Sequence, residues 1–109
     1  MSSTAYYNFR ISDLSILKEL KSQVIAYDNK KTLKRNVKSA DGDVTVALAG
    51  LGTIAALLVV TTKDISLKID SNTIPVSNFY FSELSALTSL AVACSDTTGA
   101  TVEVTVWGV

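Results

Sequence analysis

A chain of 109 residues, 48% hydrophobic and 18% charged, has the length of one domain and too much apolar content to stay disordered. It contains no histidine, so it lacks the commonest general base and metal ligand. Its zero formal charge hides a division: residues 1–38 hold eight of the ten basic groups against three acids, and residues 39–109 hold two against seven. The halves therefore carry +5 and −5, an asymmetry that marks electrostatic docking onto a partner.

Residues 1–10 are polar and aromatic, with Tyr6, Tyr7 and Phe9 in a short run. They read as an extended arm whose rings pack under the domain or reach a neighbour. They lack the basic-then-apolar order of a signal peptide, so secretion by that route is not expected. Residues 12–27 space Leu14, Leu17, Leu20 or Lys21, and Val24 at three- and four-residue steps, which predicts an amphipathic helix with Ser12 or Asp13 as its cap. A strand over Val24–Tyr27 competes at its far end. Residues 28–42 read as a basic connector that closes in a turn at Asp41-Gly42.

Beyond that point the apolar period drops to two. Strands are expected at Val44–Leu48, Ile54–Val60, Ile65–Ile69, Ile74–Phe81, Ser89–Cys94 and Thr101–Trp107, separated by turn-forming residues. Ser82–Thr88 is expected to be a helical turn or a loop. Short strands at nearly regular spacing predict a mainly β fold, a compact antiparallel sandwich or barrel-like domain of about six strands. The domain proper spans 39–109, and 1–38 supplies the arm, the helix and the connector.

Ile54–Val60 is apolar at both parities, whereas a strand of a two-layer sandwich should show one face to water. A third layer is required, either the 12–27 helix or another copy. Trp107 stands on the otherwise polar side of the last strand, and tryptophan is enriched at interface centres. Ile54, Leu57, Val59 and Trp107 are therefore the expected self-association residues.

From Val44 to Thr62 there are nineteen residues without a charge, preceded by a basic segment, which is the pattern of a single transmembrane helix. The alternation of Val44, Val46 and Leu48 and the pair Gly50 and Gly52 favour strands and a turn, so no membrane is expected. Cys94 is the one cysteine, which excludes an intrachain disulfide; it alternates with Leu90 and Val92 as a buried, inert thiol.

No residue set specifies a reaction. Asp41-Gly42-Asp43 offers oxygens but not the series of a calcium loop, and Gly50-Leu51-Gly52 lacks the remainder of a phosphate loop. A hydrolytic triad has no histidine. Neither enzyme activity, nor a metal, nor a cofactor is expected. The cluster Lys30, Lys31, Lys34, Arg35 and Lys38 is the candidate docking site. It lacks the aromatics that stack on bases, so an acidic protein surface suits it better than nucleic acid.

The stretches Asp41–Val46, Asp64–Asp70, Leu87–Val92 and Ala100–Gly108 resemble, in strand order and turn placement, small accessory structural proteins of tailed bacteriophages. The resemblance covers about residues 40–109. It implies a virion component such as a capsid decoration (cement) protein, which as a homotrimer on the capsid surface contacts the major capsid protein. A tail, neck or head-fibre protein is the alternative within that resemblance, and a single-pass membrane protein with its span at 44–62 is the alternative outside it.

Overall fold

The computed structural model describes residues 3–13, 16–83 and 87–109, with side chains throughout these except at 13–18. The protein is mainly β, with antiparallel pairing throughout the described residues. Strands β1 (Ser3–Asp13) and β2 (Ile16–Tyr27) form a hairpin of their own. A second sheet takes β3 (Asn29–Val37), β10 (Ala100–Gly108), β5 (Ile54–Thr61) and β8 (Phe79–Ser82), in that order. A third takes β4 (Val44–Thr45), β9 (Leu90–Ala93), β6 (Ile65–Ile69) and β7 (Asn72–Val76).

The two four-stranded sheets share one core. Val104 lies opposite both Leu33 and Val59, and Val106 lies opposite Leu57, so one face of the first sheet is a continuous aliphatic layer. Leu67, opposite Val92 and Ile74, does the same for the other sheet. The core is a single buried cluster with Leu33 and Ile74 packed at its rim, and in it Leu57, Val59, Leu67 and Val106 are wholly inaccessible. Alternation decides which residues enter it: Val102, Val104 and Val106 face in, and Thr101, Glu103, Thr105 and Trp107 face out.

The described residues of 12–27 form no helix: Ser12 and Asp13 end β1, residues 16–27 are β2, and residues 14 and 15, with the expected helix position Leu14, lie outside the described residues. A bulge explains the misleading period. Tyr7 pairs with Gln23 but Phe9 pairs with Leu20, so Asn8 faces two residues, Lys21 and Ser22. Ser22 sits at a φ of 52° and its N–H donates to the Asn8 side-chain oxygen at 2.7 Å. The extra residue switches the body-facing positions from Leu20 to Gln23, Ile25 and Tyr27. An alternation broken in that way mimics helical steps of three and four.

The basic segment is no connector either, because residues 29–37 form β3 and pair with β10 along their whole length. The apolar run Ile74–Phe81 divides at Ser77-Asn78, where the chain leaves one sheet as β7 and enters the other as β8. About six strands are thus ten among the described residues. Residues 44–62 hold β4, β5 and the turn between them, and no helix among the described residues is long and apolar enough to cross a membrane. The helical turn or loop expected at Ser82–Thr88 includes 84–86, outside the described residues.

The chain ends close to the 48–53 turn. Thr53 and Val109 exchange backbone hydrogen bonds at 3.0 and 2.7 Å, and Leu51 is buried beneath the end of β10. Gly108 lies against the Leu51 carbonyl oxygen with no room for a Cβ.

Candidate docking surface

The third layer that β5 requires comes from within the chain. Its outward residues Ala56, Leu58 and Val60 continue into Phe81 and Phe79 of β8, opposite Leu58 and Val60. Tyr7 packs on Phe81 with ring centroids 4.6 Å apart, and Phe9 faces Phe79 at 6.4 Å. Ile25, on the same side of the hairpin, is buried. The Tyr7 hydroxyl donates to Glu83 Oε1 at 3.3 Å. Its pKa is raised, first by loss of solvent and then by the Glu83 charge and hydrogen bond.

The fit is incomplete. Between the hairpin and the sheet runs an apolar cleft of about 600 Å³, whose walls include Phe9, Leu20, Ile25, Leu58, Phe79 and Trp107. Phe79 remains 53% exposed. On the hairpin's far side Tyr6 and Val24 face each other across the strands, 70% and 52% exposed. Arg10 and Glu19, further along that side, are paired at 3.6 Å.

The other half of the same sheet is basic and wet. On β3, Lys30 and Lys34 share the outer side with Trp107 and Glu103, their neighbours on β10. Lys31 and Arg35 lie opposite Val106 and Val102, on the core side, but at the sheet's edge both stay exposed. Lys34 approaches Glu103 at 3.9 Å and Arg35 approaches Asp41 at 3.5 Å, long contacts between exposed groups that hold little energy. The five cations of the expected site, Lys38 included, thus stand along one strand and its end.

The acids serve turns. Asp96 accepts from the Thr98 hydroxyl at 2.6 Å, from the Thr98 and Gly99 N–H groups, and from Lys63 at 3.3 Å. The Thr98 bonds, with help from Lys63, hold its carboxyl well below the usual carboxylate range. Asp70, at a φ of 53° in the β6–β7 turn, accepts from the Thr88 hydroxyl and from the Thr88 and Ser89 N–H groups, which lower its pKa. Asp41 accepts from the Lys38 N–H at 2.8 Å, and both Asp43 oxygens accept from Lys68 at 2.8 Å. No three or more such ligands converge on a metal site among the described residues.

Of the self-association residues, Ile54, Leu57 and Val59 lie in the core, and the surface parity of β5 belongs to Leu58 and Val60. Trp107 is half-buried and finds apolar neighbours in its own chain, along the cleft. Sequence reasoning missed the Tyr6–Val24 pair, whose signal is two apolar residues left over once Tyr7 and Ile25 are assigned inward. Cys94 is buried as expected. Compared with family models, curated proteins and solved structures, the chain matches none.

Proposed function

We propose that this protein is a non-enzymatic virion component, a capsid decoration protein that self-associates and bridges neighbouring major capsid subunits. The observation that carries this reading is the hairpin: one side packs on the body while the other holds Tyr6 and Val24 out to solvent. Exposed apolar pairs on a projecting element suit attachment. The strand and turn order of residues 40–109, which resembles accessory proteins of tailed phages, supplies the setting.

In that setting the work is mechanical. The hairpin supplies apolar contact, worth about 25 cal/mol per Å² buried, and β3 supplies long-range attraction through its cations. Many copies, each weakly held, give firm attachment by multivalency. A trimer is expected from the resemblance. Electron micrographs of particles bearing the labelled chain test the reading: label on the capsid surface, with higher heat resistance in decorated than in stripped particles, is the expected result. Label confined to tails, or equal melting, rejects the cement role.

A further inference from the structure

Four strands end the two body sheets, and three of them are poor templates for another strand. β4 has two residues, β8 has four, and β7 carries Pro75, which has no N–H to donate. The pairing of the hairpin's own strands is interrupted by the bulge at Lys21-Ser22, opposite Asn8. β3 differs. It runs nine residues without a bulge in its pairing to β10, and among the described residues no strand pairs with its other flank. What protects that flank is charge alone, with cations on both sides of the strand: Lys30 and Lys34 outward, Lys31 and Arg35 toward the core side.

Charge protects selectively. A second copy of β3 would set cations against cations, and a neutral strand would leave them without partners. An acidic strand meets neither obstacle. We propose that β3 is a strand-addition site for an extended acidic segment of another protein, which joins the sheet as a fifth strand beyond β3. The inference builds on the docking role of β3 given above and specifies its mode and partner chemistry.

Register defines the segment further. Residues opposite one another on neighbouring strands share a side. Acids belong opposite Lys30 and Lys34 on the outer side and opposite Lys31 and Arg35 on the core side. A polar residue belongs opposite Thr32. An apolar one belongs opposite Leu33, which is half-buried at the rim of the core. The matching sequence is acid-acid-polar-apolar-acid-acid in either direction, because the pattern is nearly symmetric. No stretch of these 109 residues has it, which favours a different protein as the partner.

The test uses the whole chain and a fluorescent peptide with Glu-Glu-Thr-Val-Glu-Glu at its centre, read by anisotropy at low salt. A second peptide has the same side chains with alternate backbone amides methylated, which removes the donors along one edge and keeps the charge. The intact peptide is expected to bind, to bind at least about tenfold more tightly than the methylated one, and to weaken as salt passes about 0.1 M. The double variant K31E/R35E, checked for its fold by circular dichroism, should lose binding. Equal binding of the two peptides overturns strand addition, as does a double variant that still binds. A single-stranded oligonucleotide that binds more tightly than the peptide overturns the choice of partner in favour of nucleic acid. Peptide binding is read without particles, so its failure leaves attachment to capsids standing, and failure on capsids leaves it standing.

Discussion

The Tyr7 ring rests on Phe81 with centroids 4.6 Å apart and planes inclined by 57°, and through this contact the first strand is fastened to the body. Aromatic pairs of this kind are worth about 0.5–1.5 kcal/mol beyond the area they bury. Tyr7→Ala and Phe81→Ala should each loosen the hairpin while the core strands hold. Amide exchange is the measurement: β1 and β2 should lose protection, and β5 and β10 should keep theirs. A double-mutant cycle should return a coupling of about 1 kcal/mol; no coupling would mean that the rings are neighbours without consequence.

The same tyrosine makes hairpin docking sensitive to alkali. Its folded-state pKa is raised above 10.0, so the neutral phenol is favoured by folding. That contribution is fully present below the unfolded value and is lost as pH rises through the folded one. Hairpin protection should therefore fall as pH climbs past about 10, and Tyr7→Phe should remove that step. A Tyr7→Phe protein with the same alkaline profile would place the transition on another group.

Acid acts elsewhere, on the turns. Asp96 and Asp70 have depressed folded-state pKa values, because hydroxyl and N–H donors favour the ionised form. Their contribution is present above the unfolded value of 3.8 and is lost as pH falls through the folded ones. Thermal stability should decline as pH drops below about 4, and Asp96→Ala and Asp70→Ala should flatten that decline. Thr98→Val, which removes the hydroxyl but not the backbone donor, should do so in part.

β6, β9 and β10 were legible in the sequence because each alternates along its length. Val102, Val104 and Val106 alternate with polar residues, and the structure buries all three. The apolar parity of Ile54–Val60 likewise announced a third layer. That this layer is a strand hairpin and not a helix was hidden by a single inserted residue, since the bulge at Lys21-Ser22 shifts the phase of β2 and no local propensity marks it. The basic cluster was visible as charge but not as a strand. β3 is a strand because β10 lies beside it, and Lys, Asn and Arg have little preference for extended backbone by themselves.

Gly108 offers a sharper test of how the chain closes. A Cβ there would collide with the Leu51 carbonyl oxygen, which is backbone and cannot swing aside. Gly108→Ala should cost at least about 1–3 kcal/mol, the usual range for forcing extra volume into packed structure. Urea unfolding at constant m-value reads this directly. Gly50→Ala, where nothing lies within 4 Å but φ is 83°, should cost less, through backbone strain alone.

In the proposed attachment role, assembly and folding draw on different sides of the hairpin, and this separates two kinds of variant. Tyr6 and Val24 face solvent together, so Tyr6→Ser with Val24→Ser should leave the melting of the isolated chain within about 0.5 kcal/mol of the parent. Sedimentation or particle attachment should weaken, since an aromatic at an interface centre is worth about 2 kcal/mol or more. Trp107→Ala should behave the other way. Its indole lines the cleft beneath the hairpin, so its loss should loosen the hairpin and lower the stability of the single chain. A Tyr6/Val24 variant that associates and attaches like the parent would remove the outer side of the hairpin from the interface. The half-exposed Phe79 beside the cleft would then be the next residue to replace.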